Sequence, residues 1–353
     1  MNKPSMPSGP VSGPGVWYGR DLQKHTEWMR HFAAAELAEL DAAVRAFKAS
    51  GEPLAAISPA TFPLPELGGE LKRVLAELIE GRGFAMLRGF PVERYAREEQ
   101  AIVYMGIGAW FGRARLQNAK GHLLGHVKDL GLDIRDPNVR YYQTSRRLEY
   151  HTDSVDVVGL LCLKTARSGG ESFIASSMTL YNEILARRPE LLPALFEPFP
   201  TDRRGEVPEG MQPWFDMPIF NWSAQRLSCI YVRQYIESAQ KHFPQARRLR
   251  REQVDAMDLM DELLNDPAIH LSMGFLPGDM QFLHNHQILH SRNDFENWPE
   301  PAQHRHLLRL WLAPPGARPL PEVFSSRYGS IVPGERGGIV VKGTTPRVPL
   351  EAE

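Results

Sequence analysis

The stretch PGDMQFLHNHQILHSR, residues 277–292, decides how this chain of 353 residues folds. Pro-Gly-Asp is a turn sequence, and the apolar residues after it predict a strand that ends near Leu283. Asn285 to Gln287 would form a bend, and Ile288-Leu289-His290 would return to the core as a second strand. Two short strands joined by a tight bend indicate a β-rich fold with His290 among apolar neighbours.

Short β-like runs of this kind recur between turn residues from Val139 to about Pro314. They are Val157–Lys164, Ser172–Ala175, Leu227–Arg233, Ser272–Leu276, Met280–Leu283 and Leu307–Leu312. Helical spacing of apolar residues predicts helices over 27–48, 70–80 and 98–111, with helical insertions over 177–187 and 251–265; Phe84–Arg88 reads as an early strand. We therefore predict an α+β, mainly β protein: a sandwich, barrel or jelly roll with flanking helices.

The chain divides into three parts on this pattern. Residues 1–26 are rich in Pro, Ser and Gly and predict a flexible N-terminal arm. Residues 27–315 predict a single catalytic domain, helical over 27–112 and with its β core at about 139–315. Residues 316–353 are rich in Pro, Gly and Arg and predict an irregular C-terminal cover.

Composition limits the function classes. The 41 basic and 42 acidic residues give a net charge of -1, which argues against a nucleic-acid-binding surface spread over the whole protein and leaves a local basic patch open; we expect no nucleic-acid partner. No run approaches the roughly 18 apolar residues of a membrane span, and the N-terminus lacks the apolar segment of a signal peptide. We expect a cytoplasmic protein with a small-molecule substrate, and a homo-oligomer stays open. Cys162 and Cys229 lie in apolar runs and predict buried reduced thiols.

A His-x-Asp motif stands at His151-Thr152-Asp153. In an extended segment, residues two apart face the same way, so imidazole and carboxylate can bind one metal. With a distant second histidine they would form a facial triad, which leaves positions on Fe(II) open for a chelating cosubstrate and O2. Composition alone gives about 1.4 such His-x-acid matches by chance. The second match, His25-Thr26-Glu27, opens a predicted helix, where residues two apart diverge, and we reject it.

The third ligand has three candidates in the opening stretch: His284, His286 and His290. His284 and His286 could instead form a zinc site, or they could be polar residues at the edge of a strand. The predicted bend favours His290, because that residue would lie on the returning strand in an apolar setting suited to a metal ligand.

Two arginines and a serine suit a cosubstrate that carries a second carboxylate, as 2-oxoglutarate does. Arg305 and Arg309 follow His290 on a predicted strand, on one face and about 13 Å apart. Arginine is planar, always charged and bidentate toward carboxylate. Ser172 follows the Gly169-Gly170 turn, and its hydroxyl could donate to the same carboxylate.

Taken in order, these pieces resemble the taurine dioxygenase (TauD/TfdA-like) family of Fe(II)/2-oxoglutarate dioxygenases. The resemblance covers roughly residues 83–312 and is carried by HTD at 151–153, GGES at 169–172, PGD at 277–279, LHSR at 289–292 and the pair Arg305 and Arg309. It implies a double-stranded β-helix core, the jelly roll of cupin-like proteins. It also implies the cofactors Fe(II), 2-oxoglutarate and O2.

Carried over by position, the resemblance implies that His151, Asp153 and His290 ligate iron and form the catalytic centre. It implies that Arg305 and Ser172 hold the distal carboxylate of 2-oxoglutarate, with Arg309 near its chelating end or the substrate. Family members commonly have threonine at the position of Ser172. The spacing from His290 to the arginines is long, so Arg305 and Arg309 stay open as alternatives for the distal carboxylate.

The resemblance implies oxidation of an unactivated C–H bond, with release of succinate and CO2. Hydroxylation is the default outcome, and desaturation or cyclisation would begin with the same attack on the C–H bond. A small residue in place of Asp153 would have suggested a halogenase. Arginines near the site favour a small anionic substrate: an amino acid, carboxylate or sulfonate. The candidate substrate contacts are Arg146, Arg147, Tyr141, Asn118 and Arg309, with Arg140 and Gln117 beside them. The alternatives are a non-redox zinc-binding jelly roll and a non-catalytic 2-oxoglutarate sensor.

Overall fold

The structure, a computed structural model, describes residues 5–136, 139–339 and 341–353. Its α-helices are α1 (Gly19–Leu22), α2 (Ala34–Ser50), α3 (Leu67–Glu80), α4 (Arg97–Phe111), α5 (Ser177–Arg187), α6 (Leu192–Leu195), α7 (Arg233–His242), α8 (Arg251–Leu264) and α9 (Ser325–Tyr328). Its first strands are β1 (Met29–His31), β2 (Phe84–Arg88), β3 (Arg113–Ala114), β4 (Leu124–Lys128), β5 (Leu148–His151), β6 (Val157–Lys164), β7 (Ser168–Gly169) and β8 (Ser172–Ser176). The later strands are β9 (Pro198–Asp202), β10 (Trp214–Pro218), β11 (Phe220–Ser223), β12 (Arg226–Cys229), β13 (Leu271–Met273), β14 (Met280–His284), β15 (Ile288–Arg292), β16 (Phe295–Glu296) and β17 (His306–Ala313).

Two sheets form the centre of the molecule. The larger has seven strands in the order β1-β2-β14-β6-β17-β3, with β4 also paired to β17. The smaller has four strands in the order β13-β8-β15-β5. Three two-stranded ribbons, β9–β10, β11–β12 and β7–β16, lie outside these sheets. The pairs are antiparallel except β1 with β2.

The sheets pack against each other and carry helices on their outer faces. Met86 and Leu283 of the larger sheet share a buried apolar cluster with Ile174 and Ile288 of the smaller one. A second cluster joins the other face of the larger sheet to α2, α3 and α4, and a third joins the smaller sheet to α5, α6 and α8. Because both faces of β6 are covered, its sequence is a continuous apolar run rather than an alternating one.

Most predicted elements are present, and some of the predicted bounds were wrong. Helix α5 and strand β6 have the predicted bounds, and α3, α4, α8 and β17 differ by a few residues. The helix predicted over 27–48 starts only at Ala34, because Met29–His31 form strand β1 beside β2. Trp28 and Phe32 are spaced as on a helix, but they are buried at the two ends of this strand. The run predicted over Leu227–Arg233 ends as a strand at Cys229.

The two strands predicted from residues 277–292 are both present, and they lie in different sheets. Gly278 has φ +89°, and a Cβ at this position would lie 1.8 Å from the Phe90 carbonyl oxygen, so the turn requires glycine. Asp279 is buried and accepts from Arg88 Nε at 2.8 Å, which fixes the turn to β2. From there β14 runs in the larger sheet and β15 in the smaller one. The closed jelly-roll topology stays a prediction.

The two ends of the chain pack against this centre. In the predicted N-terminal arm, Val11 and Trp17 are buried and donate backbone N–H groups to side chains of α5. In the predicted cover, Arg336 is fully buried and forms an ion pair with Asp156 at 2.6 Å. The division into arm, domain and cover stays a prediction. Both cysteines are buried free thiols, and no helix in the described ranges is long and apolar enough to cross a membrane.

Candidate metal centre

Three side chains converge where the smaller sheet meets the loop after β5. His151 ends β5 and lies directly opposite His290 of β15, with ring centroids 4.3 Å apart. Asp153 follows two residues later, and its carboxylate oxygens lie 3.9 Å from Nε2 of each histidine. In the part of the chain that the structure describes, this is the one group of three His, Cys, Asp or Glu residues whose ligand atoms all lie within 4.8 Å.

The protonation states of this group suit a metal. His151 Nδ1 lies 2.8 Å from the Glu149 carbonyl oxygen, which can only accept, so Nδ1 carries the proton and Nε2 keeps its lone pair. Burial lowers the pKa of His151, and burial together with His151 lowers the pKa of His290 to about 3. Burial alone would raise the pKa of Asp153, but Arg309 and the two histidines lower it. The group is therefore two neutral imidazoles and one carboxylate at neutral pH.

Neighbouring side chains hold Asp153 in place. Trp311 Nε1 donates to its Oδ2 at 2.9 Å, and Arg309 Nη1 lies 3.6 Å from the same oxygen. The buried Asn285 side chain accepts from the Asp153 N–H at 2.8 Å and donates to the carbonyls of Asp153 and Val155. Asn285 belongs to the predicted bend, so the bend positions one ligand as well as redirecting the chain toward another.

The competing histidines lie elsewhere. His286 Nε2 is 2.8 Å from Tyr328 Oη, and its Nδ1 is 3.4 Å from Asp156, whose carboxylate is already bound by Arg336. The ring of His284 packs beside His286, with centroids 5.8 Å apart. The second motif, His25-Thr26-Glu27, forms an exposed pair at 3.5 Å in a turn before β1 rather than in the predicted helix. The described histidines thus offer no second cluster for zinc.

Arg309 lies beside the metal centre on β17. Its Nε donates to Gln117 Oε1 at 2.8 Å, and its guanidinium packs between the rings of Tyr142 and Trp311 at 4.8 and 5.1 Å. Gln117 in turn donates to the Arg309 carbonyl at 2.8 Å. The side chain is therefore fixed in position while its terminal nitrogens face Asp153.

Arg305 is buried and lies directly before β17, which begins at His306. Its guanidinium stacks on Phe295 at 5.1 Å, Nη2 is 3.4 Å from the Gly170 carbonyl, and buried Nη1 has no hydrogen-bond partner among the described residues. Burial lowers the pKa of Arg305 to about 10, so it stays charged. Arg292 stacks on the same ring but donates to three backbone carbonyls. Of these two arginines, Arg305 is the one with a nitrogen that has no hydrogen-bond partner in the described part of the chain.

Ser172 lies on the face of the smaller sheet that carries His290. It pairs with Arg292, and Ile174, two residues on, pairs with His290. Alternate residues of a strand share a face, so the Ser172 hydroxyl points to the same side as the His290 ring. Ser172 is buried.

A cavity of about 910 Å3 opens onto the metal centre. His151, Asp153, Arg309 and Trp311 line it, as do Asn118 and Tyr141 from the predicted substrate contacts. Arg140 and Gln117 also line the cavity. Arg146 and Arg147 are exposed and do not belong to its wall; Arg147 instead contacts Glu149 at 3.2 Å. Their role as substrate contacts stays a prediction, and their position outside the cavity wall argues against it.

Sequence reasoning missed several residues of this wall. Trp311 could have been found, because it stands two residues after Arg309 on one strand face. Arg203, Glu206 and Arg327 line the cavity from the end of β9, the following loop and α9. These segments have no periodic pattern, and nothing in the sequence links residue 327 to residue 153.

A model of the family described as "Taurine catabolism dioxygenase TauD, TfdA family" matches residues 50–311. The chain belongs to this family. It is accordingly a 2-oxoglutarate-dependent non-haem iron dioxygenase that uses Fe(II), 2-oxoglutarate and O2. The donor set of two neutral imidazoles and one carboxylate fits Fe(II), and the unpartnered buried nitrogen of Arg305 fits a carboxylate.

Two relatives agree with this membership, and a solved structure has a similar fold. The chain is 31% identical to FR-33289 synthase of Streptomyces rubellomurinus (strain ATCC 31215), over 91% of the chain and 95% of that protein. It is 31% identical to the taurine hydroxylase-like protein SAT17 of Stachybotrys chartarum (strain CBS 109288 / IBT 7711), over 88% and 83%. An asparagine oxygenase solved with Fe(II), 2S,3S-3-hydroxyasparagine and succinate has a similar fold, with TM-score 0.60, 14% identity and coverage of 81% and 93%.

Proposed function

We propose that this dioxygenase hydroxylates an unactivated C–H bond of a small anionic substrate in the cavity beside Asp153, with release of succinate and CO2. In this proposal His151, Asp153 and His290 hold the iron. The observation that carries the assignment is the convergence of their ligand atoms within 4.8 Å, with His151 and Asp153 at the wall of a large cavity. When bound, Fe(II) and 2-oxoglutarate supply the oxidising power by activating O2.

The chain's own residues would orient the reactants and set their charges. Asn285 and Trp311 fix the main chain and the carboxylate of Asp153, so that carboxylate stays ionised and directed at the two imidazoles. The proton on Nδ1 of His151, held by the Glu149 carbonyl, leaves Nε2 as the ligand atom. This ordering of ligands before iron binds reduces the cost of forming the site.

Arg305 and Arg309 would contact different ends of the bound cosubstrate. Arg305 has a buried nitrogen without a partner and suits the distal carboxylate, with the hydroxyl of Ser172 beside it. Arg309 is tied to Gln117 and lies 3.6 Å from Asp153, which suits the chelating end of 2-oxoglutarate or the substrate. An unpaired buried arginine is costly, and a carboxylate ligand would remove that cost.

The substrate pocket in this proposal is the part of the cavity beyond Asp153 and Arg309; Arg305 and Ser172 are not among the residues of its wall. Asn118 and Tyr141 line it together with Arg140. Amide, phenol and guanidinium groups suit a polar anion, such as an amino acid, a carboxylate or a sulfonate. Hydroxylation is the proposed outcome.

Absorbance of the anaerobic protein with Fe(II) and 2-oxoglutarate tests the proposed site. We expect a charge-transfer band at about 500–530 nm. Variants Asp153→Ala and His290→Ala should lose the band, whereas His286→Gln should keep it, because His286 bonds to Tyr328 instead of facing the triad. Absence of the band in the unaltered protein, or its persistence in Asp153→Ala, would contradict the ligand assignment.

Succinate release tests the reaction and the substrate class. Small amino acids, carboxylates and sulfonates are incubated with the iron-loaded enzyme, 2-oxoglutarate and O2, and succinate is compared with oxidised product. We expect matched amounts of both with the true substrate. A zinc-binding or sensor protein would give neither succinate nor hydroxylated product with any of them.

A further inference from the structure

We infer that Arg327 and Arg203 form an anion pocket in the substrate cavity that selects a doubly charged tetrahedral oxyanion, a phosphate ester or phosphonate, on the substrate. The inference rests on the proposed function and names the substrate class of the same site. Both arginines line the cavity and contact the ring of Phe215, at 5.4 and 5.0 Å.

Arg327 is held beside the metal centre with its terminal nitrogens unused. Its Nε donates at 3.0 Å to the hydroxyl of Ser154, the residue after Asp153. In the described residues, neither Nη atom forms a hydrogen bond and no carboxylate lies within 4.0 Å of the guanidinium. Burial lowers the pKa of Arg327, and Glu206 partly offsets this. A cation anchored only through Nε can present both Nη atoms to a ligand.

Arg203 supplies a second charge without a carboxylate partner. It is 3% exposed, and its Nε and Nη2 donate to the carbonyls of Gln212 and Ser326 at 3.1 and 2.6 Å. Its Nη1 is buried with no hydrogen-bond partner in the described ranges. Burial and the nearby Arg327 lower the pKa of Arg203 to about 10. Two like charges against one ring, of which Arg203 is buried and Arg327 is half-buried, repel each other unless an anion joins them.

The excess of positive charge is local to this part of the cavity. Arg203 and Arg327 line it, and no carboxylate of the described residues lies within 4.0 Å of either guanidinium, whereas Arg204 pairs with Asp202 at 3.9 Å. The acidic groups of the wall other than Glu206 are already paired. Asp153 lies near His151 of the metal centre and near Arg309. The remaining pairs are Asp261 and Glu237 with Arg233, Glu149 with Arg147, and Glu353 with His122. The two positive charges of Arg203 and Arg327 match a dianion better than a monoanion such as a sulfonate or carboxylate.

Methyl phosphate and methyl sulfate test the charge selection, because they share shape but differ in charge. Methyl phosphate loses its second proton at a pKa of about 6 and is a dianion at pH 8, whereas methyl sulfate stays a monoanion. Calorimetric titration into the anaerobic Fe(II)–2-oxoglutarate complex at pH 8 should give at least about tenfold tighter binding of methyl phosphate. Equal affinity for the two probes would overturn the inference.

Variants locate the binding. Arg327→Gln should weaken methyl phosphate binding about ten- to hundredfold, and Arg327→Lys should weaken it less, because a charge remains without the paired nitrogens. Arg203→Lys should also weaken it. The matched control is Arg233→Lys: Arg233 lines the same cavity, but each of its three nitrogens meets a carboxylate at 2.7–2.8 Å, so affinity should not change.

Two further measurements separate the possible failures. The charge-transfer band of Fe(II) and 2-oxoglutarate should be unchanged in the Arg327 variants; if the unaltered protein lacks the band, the proposed function fails rather than the pocket. Thermal unfolding checks that each variant is folded. The titration is repeated without metal, and binding that requires iron and ignores the Arg327 and Arg203 variants would place the anion on the metal and overturn the pocket.

Discussion

At the scale of single residues, the division of labour between Arg305 and Arg309 can be measured. Arg305 has a spare buried nitrogen, whereas Arg309 is tied to Gln117 and directed at Asp153. We expect Arg305→Gln to raise the dissociation constant of 2-oxoglutarate about ten- to hundredfold, measured through the charge-transfer band. Arg309→Gln should change it less and alter the band itself, because that side chain adjoins a ligand. A larger loss in Arg309→Gln would reverse the assignment.

Asn285 gives a second test at this scale. Its side chain makes three hydrogen bonds to the main chain of Asp153 and Val155 while fully buried. Asn285→Ala should lower Fe(II) affinity about tenfold or more and cost about 2–3 kcal/mol of unfolding free energy. The control Asn221→Ala removes a buried asparagine with one hydrogen bond, to the Pro218 carbonyl, and should leave Fe(II) affinity unchanged. Metal titration and denaturant unfolding separate the two effects.

The types and the order of the residues predicted which three side chains converge, because only a few types of side chain can ligate a metal. His290 could be chosen over His284 and His286 because a bend in the chain is a local property of Asn285 to Gln287. Arg327 could not be predicted, since it reaches the cavity from α9, far along the chain from β5. The excess charge around it depends on which carboxylates are already paired, which is a property of the folded structure.

At the scale of elements, strand β17 links the sheet to the site. It pairs with β4, and Arg309 lies opposite Gly125, where a Cβ would be 2.4 Å from Gln117 Oε1. Gly125→Ala should displace Gln117, release Arg309 and cost about 1–3 kcal/mol of unfolding free energy, with weaker 2-oxoglutarate binding. The control Gly69→Ala lies in α3 with no atom within 4 Å of the added Cβ, and it should stabilise the protein by about 0.5–1 kcal/mol. Thermal or urea unfolding measures both.

Element positions were predictable where the pattern was local. The bounds of α5 and β6 follow from apolar spacing and flanking turn residues. Strand β1 was missed because Trp28 and Phe32 also fit a helix, and only its pairing with β2 distinguishes the two structures. Pairing across 57 residues of chain, as from Met29 to Met86, is a tertiary property that periodicity does not contain.

At the scale of the whole molecule, residues 316–353, the predicted C-terminal cover, contribute both a buried ion pair and a residue of the cavity wall. Arg336 binds Asp156 with both residues fully buried, and Arg327 enters the cavity from the same segment. Arg336→Met would leave the Asp156 carboxylate buried without its cation, so we expect a loss of about 3–5 kcal/mol in unfolding free energy.

A double variant distinguishes this cause from poor packing. Asp156→Asn together with Arg336→Met removes the buried charge as well as its partner, so the double variant should be more stable than Arg336→Met alone. Denaturant unfolding gives the free energies, and methyl phosphate titration of the folded fraction reports whether Arg327 keeps its place. A loss below about 1 kcal/mol in the single variant would mean that the ion pair does not hold the cover. If methyl phosphate binding weakens while the charge-transfer band of Fe(II) and 2-oxoglutarate is unchanged, the ion pair between Arg336 and Asp156 contributes to substrate selection.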